Sequence, residues 1–192
     1  SAPMNDAPPE LWLARDGDTA WTVSRQHTSR TDLDLTDAGV AAARALAPKL
    51  AGEAFDAVLS SPLRRARRTA ELAGFAPEID ERLREFDYGD YEGRTTAEIQ
   101  AERPGWDLWA DGCPGGETAA DVGARMDALI ADLRARGPRR ILVFGHGHAL
   151  RVLTARWLGL DPVEGRRFLL APAAVAVLGS EHGHAAVARW NA

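Results

Sequence analysis

Apolar positions along the chain fall either into short continuous runs or into stripes of helical period. Residues 11–14 form a short apolar run that reads as a strand, followed by a polar loop. Thr36 is placed to cap a helix over 37–50, with Gly52 as its stop. A second run, 55–59, ends at Ser60-Ser61. Pro62 is then expected to open a helix reaching Gly74, because proline's fixed φ and missing N–H suit a first helical position. Residues 77–80 read as a short strand. Thr118 and Asp121 have capping-box spacing, and Val122, Met126, Leu129, Ile130 and Leu133 trace one helical face until Gly137-Pro138 ends it. The continuous run 141–144 predicts a strand buried on both faces. A helix over 149–158, closed by Gly159, and a strand pair, 173–178 and 185–190, around His182-Gly183-His184 complete the order. This alternation predicts an α/β fold, a three-layer αβα sandwich with a mainly parallel sheet and helices on both faces.

Length adds one constraint: 192 residues fit a single domain, placed at 10–192. Residues 1–9 hold three prolines and no period, and are expected to be a disordered tail. Ser1-Ala2-Pro3 precede Met4 and read as the remnant of a cleaved expression tag. No apolar run approaches the roughly 18 to 20 residues of a membrane span, and the N-terminal stretch lacks a signal peptide's apolar core, so a soluble cytoplasmic protein is expected. Cys113 is the single cysteine, which excludes an internal disulfide and a cysteine-based zinc site. With 23 basic and 28 acidic residues the net charge is −5, which argues against nucleic acid as a partner. Lys49 is the single lysine among the basic residues, and arginine's planar fork suits phosphate.

In open α/β sheets ligands bind at the carboxyl ends of the strands. Three strand ends here supply Arg15, the segment 60–65 and Gly145-His146-Gly147-His148. One crevice would thus gather arginines, histidines and the starts of two helices, whose free N–H groups favour anions. A phosphate site is the natural reading.

Six segments in order, LARDGDTAW (13–21), SRQHTSRTDLDLT (24–36), SSPLRRARRTAEL (60–72), LREFDYGDYEG (83–93), DGCPGGET (111–118) and FGHGHALR (144–151), resemble the histidine phosphatase superfamily, which includes the cofactor-dependent phosphoglycerate mutases. The resemblance implies a phosphomonoesterase acting on a small phosphorylated metabolite through a phosphohistidine. Arg15, Arg65 and His146 match the phosphate-holding groups, and Glu85 matches the proton donor to the leaving group. A carboxyl serves as a general acid at neutral pH when its pKa is raised, which a nearby phosphate charge promotes. At the nucleophilic histidine of the R-H-G motif stands Asp16. A carboxylate there repels a dianionic substrate and is shorter than histidine, so the covalent route is expected to be strongly impaired. Asp16 is expected to pair with Arg15 or Arg65, raising stability at the expense of activity. Two origins fit it: a deliberate replacement, or a natural pseudoenzyme that keeps the pocket for binding. Asp34 stands where the T-D-x-P-L-T pattern has proline, without an account from sequence.

The chain is short for a mutase, which favours phosphatase over mutase-type transfer. QHT (26–28), WDLWADGC (106–113) and GHGHALR resemble the sugar-bisphosphatase-like branch. Thr22, Ser24, Gln26, His27, Thr28 and His148 are accordingly candidates to contact a sugar phosphate. No cofactor and no metal are expected, with His146-His148 read as a pocket pair and His182-His184 as an exposed turn pair. Trp106, Trp109 and Trp157 are read as core or pocket wall. Expected partners are a small phosphorylated metabolite or inorganic phosphate, with no nucleic acid and no membrane, the protein being a monomer or homodimer. The competing reading is a non-catalytic phosphometabolite-binding protein on the same fold. Residues 159–167 are expected to form an ordered loop over the pocket.

Overall fold

The computed structural model describes residues 9–192. The expected tail lies outside the described residues except for Pro9, which is buried. Among the described residues six strands form one sheet in the order β3-β2-β4-β1-β5-β6, from β1 (Glu10–Arg15), β2 (Ala57–Ser60), β3 (Glu78–Ile79), β4 (Arg140–Gly145), β5 (Val175–Glu181) and β6 (His184–Arg189). β1, β2, β3 and β4 pair in parallel, whereas β5 runs antiparallel to both β1 and β6. The mainly parallel sheet is as expected, and its antiparallel edge is the hairpin around His182-Gly183-His184.

The strand runs are continuously apolar because both sheet faces are covered. Leu11, Leu13, Ile141 and Val143 face one buried cluster with Met126, Leu129, Leu150 and Leu153. These helix residues come from α6 (Ala119–Arg136) and α7 (Gly147–Trp157). Trp12, Ala14, Leu142 and Phe144 face the other, with Leu46, Leu50 and Ala70 from α2 (Asp37–Leu50) and α3 (Arg64–Leu72). Trp106 and Trp157 are buried in the first cluster, and Trp109 packs against its edge. Thr118 and Asp121 form the expected capping box of α6.

The structure adds three short helices, α1 (Ala20–Ser24), α4 (Thr96–Glu102) and α5 (Leu108–Asp111). At four to seven residues each they carry too few turns to leave a periodic stripe. Pro62 does not open α3. Leu63 is the extended N-cap residue, and the Arg64 N–H is taken by Asp32 Oδ1 at 2.7 Å from a distant loop. α7 begins at Gly147, two positions before the expected start, because a carboxylate from elsewhere caps it. Residues 162–167 form a 3₁₀ turn pinned by Arg151, and none of 159–167 lines the cleft at the carboxyl ends of the strands. No helix is long and apolar enough to cross a membrane among the described residues.

Candidate functional site

The carboxyl ends of β1, β4 and β2 meet at a cleft of about 260 Å³. Arg15 ends β1 and Asp16 follows it. His146 follows β4 as the N-cap residue of α7, and Arg65 reaches in from the first turn of α3. Of the residues singled out from sequence, Arg15, Asp16, Thr22, Gln26, His27, Thr28, Arg65, Glu85, His146 and His148 line this cleft. Ser24 does not: its hydroxyl is used on Trp21 O and on Gln26 Oε1 at the exposed end of α1.

Asp16 is buried, and one of its oxygens is doubly held. Oδ2 is ion-paired with Arg65 Nε at 3.0 Å and accepts from His146 Nδ1 at 3.0 Å. Burial pushes the carboxyl up, but the charges of His146, Arg65 and Arg15 and the His146 hydrogen bond outweigh it and hold the group below its ordinary 3.8. Of the two partners expected for Asp16, the ion pair is with Arg65. Arg15 instead donates from one terminal nitrogen to Leu170 O and leaves its buried Nε unpartnered beside Gly147.

Arg65 is heavily committed. Besides Asp16 it donates to Thr31 O at 3.0 Å, Thr28 O at 3.2 Å and Ser29 O at 3.0 Å, so a guanidinium read as a phosphate clamp also builds the loop beside the cleft. His146 is bonded at both ring nitrogens, the second meeting Ser61 Oγ at 2.7 Å. Asp16, His146 and Ser61 thus have the connectivity of a hydrolase triad. Ser61 is fully buried, its oxygen also accepts from Leu63 N, and it does not line the cleft, so it cannot reach a substrate.

Glu85 sits where α7 needs an anion. Its carboxylate accepts from His148 N at 3.1 Å, Ala149 N at 2.8 Å and its neighbour Phe86 N at 2.7 Å, satisfying first-turn donors that the His146 side chain leaves uncapped. Burial pushes this carboxyl up, yet the imidazoles of His148 and His146 and the backbone donors hold it below its ordinary 4.5. The sequence reading asks for a raised pKa; as placed, Glu85 is anionic, and it donates a proton only if an incoming phosphate dianion raises it.

A wall of rings closes the far side. Tyr88 Oη and His148 Nδ1 are 2.5 Å apart, and burial pushes the His148 imidazole down to about 4, so it is neutral at pH 7. His27 donates from Nδ1 to Arg94 O at 2.6 Å, since a carbonyl can only accept, and stacks edge-on against Tyr88 and Trp106. Arg25, Tyr88, Thr96 and Arg151 also line the cleft and escape the sequence reading. Arg25 enters through a left-handed turn (φ 64°) ending α1, which no periodicity reports. Arg151 lies in the quoted GHGHALR segment, one helical turn after Gly147, the signal that could have found it. Asp34 acquires a local account: Oδ1 accepts from Leu35 N at 2.8 Å and Arg68 at 2.7 Å, tying its loop to α3. No cluster of three His, Cys, Asp or Glu side chains suited to a metal occurs among the described residues.

Comparison with known proteins follows the same outline. The family model described as histidine phosphatase superfamily (branch 1) matches residues 11–192. An acid phosphatase of Mycobacterium tuberculosis is 42% identical over 178 residues, covering 90% of this chain and 87% of that protein. The sedoheptulose 1,7-bisphosphatase of Saccharomyces cerevisiae is 34% identical over 191 residues, covering 82% and 70%. Among solved structures, a functionally characterised open reading frame product of Mycobacterium tuberculosis superposes with a TM-score of 0.91 at 38% identity, covering 95% and 97% of the two chains.

Proposed function

The chain belongs to branch 1 of the histidine phosphatase superfamily, and we propose that it is a phosphomonoesterase for a small sugar phosphate whose Asp16 strongly impairs the covalent route. One observation carries the reading: Arg15, Arg65, His146 and Glu85 converge on a single cleft at three strand ends. The phosphoryl group is held by Arg15 and by what remains of Arg65, whose fixed charge stabilises the equatorial oxygens in the transition state. Glu85 then passes a proton to the leaving alcohol, raised from its anionic state by the dianion beside it. The polar rim of Thr22, Gln26, His27, Thr28 and His148 favours a hydroxyl-bearing leaving group.

Asp16 occupies the nucleophile's place with a group poorly suited to attack. A like charge 4 Å from a phosphate oxygen costs about 4 kcal/mol at an effective dielectric near 20, equivalent to about a thousandfold. His146 does not substitute for the missing histidine, because Asp16 and Ser61 engage both its ring nitrogens. That same engagement favours a second reading, a phosphometabolite-binding protein without turnover.

Phosphate release from an aryl phosphate and a panel of sugar phosphates, compared with the Asp16→His protein, separates the two. The expected result is a rise of at least a hundredfold on reversion, with the panel ranking the sugars. Silence of both proteins, with inorganic phosphate still bound in calorimetry, would reject catalysis and leave a binding protein.

A further inference from the structure

The segment DGCPGGET belongs to no part of the cleft, yet its glutamate meets an arginine on α6 directly behind Glu85. Arg125 lays its fork on Glu117, Nε to Oε2 at 3.0 Å and a terminal nitrogen to Oε1 at 2.9 Å. The remaining donors go to three main-chain carbonyls: Arg82 O at 2.7 Å, Arg84 O at 2.7 Å and Glu85 O at 3.1 Å. All five N–H groups of the guanidinium are therefore spent, three of them on the segment that ends at Glu85. Glu117 also grips the far side of that residue, its Oε1 accepting from Asp87 N at 2.9 Å and its own N–H donating to Asp87 O at 2.8 Å. Two glycines allow this closeness. A Cβ on Gly116 would stand 2.3 Å from Asp87 O, and one on Gly89 2.2 Å from Pro114 O.

Among the described residues Glu85 alone lines both the substrate cleft and a second cleft behind it, of about 330 Å³, which Arg125 and Glu117 help to line. Its carbonyl is tied to the rear, and its carboxylate to the start of α7 at the front. We infer that Arg125, aligned by Glu117, is a positioning residue for Glu85, fixing from behind where the carboxylate stands relative to the leaving oxygen. The inference rests on Glu85 as the proton donor. A displacement of about 1 Å at such a group costs on the order of a hundredfold. Lysine keeps the charge but has one nitrogen, so it cannot serve Glu117 and three carbonyls in one plane.

Two readouts test it. In the chain as it stands, the His148 and Ala149 amide protons donate to Glu85 and report its titration by NMR. Arg125→Lys is expected to move their midpoint upward by at least half a unit as the carboxylate slips from its donors, and an unmoved midpoint overturns the inference whatever the catalysis. In the Asp16→His protein, Arg125→Lys is expected to lower turnover of an alkyl phosphate at least tenfold more than that of a nitrophenyl phosphate. The nitrophenolate leaves without a proton, whereas the alkoxide needs general acid help worth about a hundredfold or more. Glu85→Gln should show the same discrimination, and the double variant should add nothing to it. Equal losses on both esters, or additivity with Glu85→Gln, would reduce Arg125 to a stability role. Glu117→Gln serves as the second variant should Arg125→Lys fail to fold. If the Asp16→His protein releases no phosphate, the phosphatase reading fails, while the amide titration still decides the positioning role.

Discussion

Replacing Asp16 by asparagine isolates the charge that holds the cleft together. Arg65 and Asp16 have side chains only 3% and 10% exposed, and their contact at 3.0 Å is supplemented by the His146 bond. An amide keeps the shape but cannot neutralise a guanidinium that is almost wholly buried. Breaking a buried pair by removing one partner costs about 3–5 kcal/mol. Asparagine's oxygen still accepts one N–H, which places the expected loss at the lower end, about 3 kcal/mol. For a domain of this size that corresponds to a melting temperature lower by about 6–12 °C. Because the carboxyl is held below 3.8 in the folded protein, its contribution is complete above about pH 5, and is lost as pH falls through the folded value. Denaturant unfolding at pH 7 and below pH 4 measures both. The gap between the two proteins should be full at pH 7 and narrow in acid. An Asp16→Asn protein as stable as the parent at pH 7 would refute the reasoning, and so would a parent that melts below the Asp16→His protein.

Three further outcomes follow from the same geometry. Gly147→Ala places a Cβ 3.0 Å from Arg15 Cζ, so binding of inorganic phosphate by calorimetry should weaken about tenfold with melting nearly unchanged; undiminished affinity would remove Arg15 from the clamp. His148, pushed down to about 4 by burial, should remain neutral in an imidazole NMR titration from pH 7 to 5. Since the unfolded state takes up that proton near 6.5, stability should decline between about pH 6.5 and 4, and an ordinary His148 midpoint would contradict this. Arg65→Lys forfeits most of the carbonyl bonds to Thr28, Ser29 and Thr31, so it should cost about 2–4 kcal/mol in denaturant unfolding despite keeping the charge.

Much of this architecture is legible in the order of apolar and polar residues. A run such as 141–144 is buried on both faces in any fold that covers a sheet twice, and α6 carries both its stripe and its capping box within one stretch. Strand ends are local features too, so Arg15, the segment 60–65 and His146 could be placed at one crevice before any contact was known, and the family resemblance added Asp16. Short helices and left-handed turns have no such period, which is why α1 and Arg25 are absent from the sequence reading and Ser24 is misplaced in it.

What the sequence by itself determined is therefore the strands and the long helices, the edge of the sheet where a ligand would lie, and the identity of the charged groups brought there. Tertiary structure alone decided how those groups spend their bonds. Asp16 meets His146 across 130 residues of sequence, and Glu85 caps a helix 64 residues away. The same carboxyl would be a solvated anion at either place if the chain closed differently. Periodicity records which face of an element is buried, but a charged side chain's protonation and partner depend on which distant donors the closed fold sets within about 3 Å, and no local pattern carries that distance.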